Sequence, residues 1–132
     1  MRVFLLSLSI LFSTLGFAQH SLTIEFAGLE SREGKVMLAL RDADGNDLRK
    51  VIVDIPASGV VSHTFTNVEK GTYTAAAFHD ENEDKEINTN AVGYPTEAYG
   101  FSNDARGTFG PPDLEDQRFE VKGDKKIVIT LQ

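Results

Sequence analysis

The sequence predicts an all-β protein: a single β-sandwich of about seven strands with one long ordered loop. Three observations lead there. Apolar residues fall at every second position through most of the chain, the period of a strand whose side chains alternate between faces. Clusters of Gly, Asn, Asp and Pro interrupt these runs at short intervals. No run keeps helical spacing long enough to make an amphipathic helix.

The elements follow in order. Leu22, Ile24 and Phe26 alternate with polar residues, and Val36, Leu38 and Leu40 repeat the pattern. Val51, Val53 and Ile55 make a third run, and Val61, His63 and Phe65 a fourth. Tyr73 to Phe78 reads as a strand whose Ala75, Ala76 and Ala77 imply close approach of a neighbour. Phe119 with Val121, and then Ile127, Ile129 and Leu131, complete the set. Turns are signalled at 31–34, 44–46, 56–59, 70–71 and 123–124. Asp42, Asp44 and Asn46 share the alternate spacing of metal ligands, but Asp44-Gly45 between two strand patterns reads as a hairpin turn. Short strands at this spacing suggest an immunoglobulin-like or prealbumin-like sandwich. The stretch from Phe65 to Tyr73 is a strand, a short turn ending in Gly71 and then an aromatic. It resembles prealbumin-like and carboxypeptidase-regulatory-like domains.

Residues 79–116 break the rhythm and contain no clear strand. A stretch that long inside a compact domain is usually functional. Its Tyr94, Tyr99, Phe101, Phe109 and Leu114 imply that it packs on the sandwich. Two or three of these aromatics are expected to form a small core of the loop's own, with a sugar-stacking platform as the competing use.

Composition narrows the function. The 132 residues carry 13 Lys and Arg against 20 Asp and Glu, a net charge of −7. An acidic chain lacks the clustered cations that phosphate binding needs, so nucleic acid is not an expected partner. The absence of Cys excludes disulfides, Cys-ligated metals and thiolate nucleophiles. Residues 1–18 read as a signal peptide: Arg2, an apolar run from Val3 to Phe17, then Gly16 and Ala18 at the small-residue positions of a cleavage site. The apolar run is short for a membrane span. The expected mature protein is therefore one domain, 19–132, exported to the periplasm or the medium, with no membrane anchor after cleavage. Loss of Arg2 takes its charge from −7 to −8.

The acidic loop is the main functional lead. From Asp80 to Glu86, five of seven residues are carboxylates, which repel one another unless a cation or solvent separates them. Asp80, Asn82 and Asp84 stand at positions 1, 3 and 5 of a calcium loop. Glu86 would offer its backbone carbonyl at position 7, and Asn88 is polar at position 9. Oxygen side chains at alternate positions can curl round a hard cation, which makes Ca2+ the expected ion. Two departures stand out. Lys85 occupies the place where Gly makes the sharp turn, and Ala91 the place of a bidentate Glu. A remote carboxylate would have to complete the shell: Glu97, or else Asp104 or Asp113. The competing reading is a solvated acidic turn.

Two other residues invite a role. His79 could act as a base beside Asp80, but more commonly such a residue caps a strand end by hydrogen bonding. Arg106 could grip a carboxylate, or else anchor the long loop by pairing with Glu97 or Glu115.

The long segment also carries a resemblance. His79-Asp80-Glu81-Asn82, Asn88-Thr89-Asn90, the run from Gly93 to Asn103, Ala105-Arg106-Gly107, Gly110-Pro111-Pro112 and Phe119 resemble the bacterial "domain of unknown function 2141" family. The resemblance covers nearly the whole mature chain. It implies a small exported sandwich and supplies no activity. The family's acidic loop usually has Gly at the position of Lys85.

The expectation is an exported, non-enzymatic module, calcium-stabilised, with a binding or interaction role toward an unknown protein or carbohydrate. One alternative is an enzyme acting on carbohydrate or cell-wall material through His79, Asp80, Glu97 and Arg106. Another is a structural interaction protein with no bound ion.

Overall fold

A computed structural model describes residues 19–132, and the expected signal peptide lies outside the described residues. Eight strands form two sheets: β1 (His20–Ala27), β2 (Lys35–Asp42), β3 (Asp47–Asp54), β4 (Val61–Val68), β5 (Gly71–Asp80), β6 (Tyr99–Phe101), β7 (Phe119–Val121) and β8 (Lys125–Thr130). The smaller sheet runs β4-β1-β8, with β1 antiparallel to β4 and parallel to β8. The larger runs β3-β2-β5-β6, and β7 pairs with β5 beyond the end of β6. A single-turn helix α1 (Leu114–Gln117) precedes β7.

The alternation places one face of each strand in the core. Leu22, Ile24 and Phe26 of β1 meet Val36, Leu38 and Leu40 of β2, all nearly without exposure. Val61, Phe65 and Ile129 fill the smaller sheet's side, and Ala75, Ala77 and Val121 the larger sheet's side. Burial of about 25 cal/mol per Å2 of apolar surface drives this arrangement. Between β4 and β5 the chain changes sheets. There the Tyr73 hydroxyl donates to the Glu69 carbonyl at 2.6 Å, which pins the crossing in the manner of a tyrosine corner.

The small residues of β5 do admit a neighbour. Ala77 pairs with Gly100 of β6. A Cβ on Gly100 would lie 2.5 Å from the Thr130 carbonyl, so only glycine lets β6 approach β8 this closely. Tyr99 and Gln132 exchange backbone hydrogen bonds, which ties the two sheets together at this corner.

The segment expected to lack strands is more ordered than its sequence suggested. β5 runs on through His79 and Asp80, and Tyr99–Phe101 adds a strand, so the described residues hold eight strands where about seven were expected. Three residues give too short a run for a period-two signal to stand out. Residues 88–96 fold back on themselves, with a Thr89–Pro95 bridge and the Asn90 side chain accepting from Val92 and Tyr94 amides. The aromatics do not form the closed core expected of them. Tyr94 and Phe109 are exposed, and Tyr99 and Phe101 are half-buried with their rings edge to face at 6.0 Å. The Asp42–Asn46 stretch is a hairpin turn: Asp42 Oδ1 accepts the Asp44 and Asn46 amides, each at 2.9 Å.

Candidate metal centre

β5 delivers Asp80 to the centre. Along β5, Ala75, Ala77 and His79 face the core, while Ala76, Phe78 and Asp80 point to the opposite side of the sheet. Asp80 would be exposed there, but the loop that follows folds back over it and leaves 1% of it accessible. Its Oδ2 accepts the Lys85 amide at 2.8 Å. Its Oδ1 is buried with no hydrogen-bond partner among the described residues. A buried carboxylate oxygen left unpaired is costly, on the order of several kcal/mol for a charged group.

The loop curls by a relay of short bonds. Asn82 Oδ1 accepts the Asp84 amide at 3.3 Å, and Asp84 Oδ1 accepts the Glu86 amide at 3.0 Å. The Glu86 amide is the main reason the Asp84 carboxyl is held below the usual carboxylate range; hydrogen bonds with the side chains of Asp80, Asn82 and Asn88 add to it. Glu83 and Lys85 both adopt left-handed backbone, with φ of 56° and 66°. Lys85 thus has the conformation that a calcium loop assigns to glycine, at the position where the spacing demanded it.

Glu97 arrives from across the loop and is almost fully buried. Its Oε2 accepts the Glu81 amide and its Oε1 the Asn88 amide, both at 3.0 Å. Each oxygen keeps a second lone pair for another partner. One oxygen from each of Asp80, Asp84 and Glu97 lies within 4.8 Å of the others. At that separation two carboxylates repel by about 3 kcal/mol at an effective dielectric near 20. A hard cation at the centre would reverse the sign.

The other residues singled out in the sequence have partners of their own. Asn82 and Glu86 are exposed and serve the relay. Asn88 meets Glu97 through its amide. Of the remote carboxylates, Asp104 instead accepts the Thr130 amide at 2.8 Å, and Asp113 precedes α1. Neither belongs to the acidic cluster. Arg106 anchors the segment, though not through Glu97 or Glu115: Nη2 donates to the Tyr99 and Thr130 carbonyls and the guanidinium lies over the Tyr99 ring at 5.1 Å. His79 is wholly buried on the core side, and its Nε2–H donates to the Glu33 carbonyl at 2.6 Å. It points away from Asp80, as adjacent strand residues must.

A family model described as "Uncharacterized protein conserved in bacteria (DUF2141)" matches residues 24–129. The chain belongs to this family. No curated protein matches the chain. The match covers part or all of every strand and the whole acidic loop.

Proposed function

We propose that this DUF2141 protein is an exported, non-enzymatic β-sandwich module whose acidic loop closes on a calcium ion. Asp80, Asp84 and Glu97 supply carboxylate ligands. Backbone carbonyls of the loop and water complete the six to eight oxygens that calcium takes. The single observation behind the reading is the buried Asp80 carboxylate, which has one oxygen without a partner and lies within reach of two further carboxylates. The ion neutralises the cluster and fixes the path of residues 80–97. Calcium suits this irregular loop better than magnesium, which demands near-ideal octahedral geometry. Export, inferred from the N-terminal segment, would place the protein where free calcium is abundant.

Thermal unfolding in chelator and across a calcium titration tests this, with magnesium as control. Saturation at a hundredfold excess over Kd should stabilise the fold by about 2.7 kcal/mol. That is a rise of roughly 10 °C for a domain of this size. Asp84→Ala should remove the rise. The effect should also fade in acid, because the ligands must be ionised. Asp84 has a lowered folded pKa, so its own contribution is complete above the unfolded value near 4 and is lost as pH falls through the folded value. No shift in the wild type, or an equal shift in Asp84→Ala, would overturn the proposal.

A further inference from the structure

The outer face of the larger sheet is apolar where solvent would be expected. Cross-strand pairing sets out two rows. Ile52, Met37, Phe78 and Tyr99 lie side by side across β3, β2, β5 and β6. Lys50, Ala39, Ala76 and Phe101 form the next row. The opposed Ala39 and Ala76 make a low floor between bulkier neighbours. Ile87 from the acidic loop and Pro111 from the segment before α1 close one side. The result is a groove of about 690 Å3, within the range of small-molecule sites. It runs on into a second hollow of about 420 Å3 that shares Tyr99 and Phe101 and carries the 95% exposed Phe109.

The charged residues of the first hollow are Arg41, Asp47, Lys50 and Lys85. Asp47 is already paired, with Arg41 Nε at 2.8 Å and Lys50 Nζ at 3.2 Å. Lys85 has no ion pair among the described residues. The groove's lining residues therefore hold three cations against one carboxylate, with Lys85 projecting from between Asp84 and Glu86 of the acidic loop. Lys85 is also well placed, since its backbone is held by Asp80 and by its left-handed turn.

From this charge pattern we infer that the groove binds an anionic amphiphile: an unbranched acyl chain along the alanine floor, with its carboxylate at Lys85. An apolar trough with cations beside it matches both ends of such a molecule. A sugar would leave its hydroxyls against apolar walls, which is unfavourable. A second copy docked by a two-fold axis would set the same basic patch against itself. The floor of the groove belongs to β2 and β5 and not to the acidic loop, so the inference does not rest on calcium.

Calorimetric titration of the purified protein with decanoate tests it, in chelator and again in calcium. Decanol and decyltrimethylammonium are the neutral and cationic controls. Saturable one-to-one decanoate binding is expected, with both controls at least tenfold weaker. Lys85→Glu should weaken decanoate tenfold or more and leave decanol unchanged. Ala39→Phe should fill the floor and abolish decanoate binding. Should that variant not fold, NMR contacts from the acyl chain to the Met37 and Ile52 methyls of the wild type decide the location. Absence of decanoate binding in both buffers overturns the inference, as does equal affinity for the cationic control. Binding that survives Ala39→Phe, or acyl contacts elsewhere, also overturns it. A concentration-dependent dimer broken by Ala39→Phe would assign the face to a second copy instead.

Discussion

The sandwich and the segment 81–118 are held together by different means. The sandwich rests on continuous backbone ladders and an apolar core, with β1 paired on both edges. The segment has few ladder bonds, and single side chains replace them. Glu97 gathers the Glu81 and Asn88 amides, Asn90 those of Val92 and Tyr94, and Ser102 joins the Ala75 amide to the Gln117 carbonyl. Asn103 bonds to the Asp116 and Arg118 carbonyls. The lesson is that a segment without regular structure can still be ordered if polar side chains do the work of a ladder. Its stability is then local, so it can respond to an ion or a ligand while the frame stays fixed.

Substitutions in each region should separate the two. Ile24→Ala empties the centre of the smaller sheet and should cost about 2–5 kcal/mol. Chemical denaturation should show the loss in the midpoint, for the whole domain at once. Glu97→Gln should act locally. The amide can accept only through its oxygen, so one of the Glu81 and Asn88 N–H groups loses its partner, at about 1–3 kcal/mol. Hydrogen exchange should quicken at those two amides and stay unchanged in the middle of β5. Uniform quickening would mean that segment and frame unfold as one unit.

The smallest effect tests the loop's backbone. Lys85→Gly relieves a left-handed residue and should raise stability by about 0.5–1 kcal/mol, the strain relief outweighing the added chain entropy. It should also weaken decanoate, since the cation leaves with the side chain. A loss of stability would show that Lys85 is held by its side chain and not only by its amide.

The frame was legible because period two encodes which side of a strand is buried, and Leu22, Ile24 and Phe26 with Val36, Leu38 and Leu40 all take the buried side. The acidic loop was legible at Asp80, Asn82 and Asp84, and Lys85 in the glycine position proved to be left-handed. The outer groove also left a trace. Met37 and Ala39 interleave with Leu38 and Leu40, and Ala76 and Phe78 with Ala75 and Ala77, so both faces of these strands are apolar. Runs apolar on both sides are where a second buried or binding face should be sought.

The sequence by itself determined the sandwich class, the turns, the curl of the acidic loop and the strained place within it, since each depends on neighbours a few residues apart. Only the tertiary structure decided that Glu97 meets Asp80 and Asp84, that Asp80 is buried, that His79 turns away from it, and that Lys85 stands beside the apolar groove. These facts depend on how distant segments stack. A period says which side of a strand a residue takes, but not what will later fold across that side.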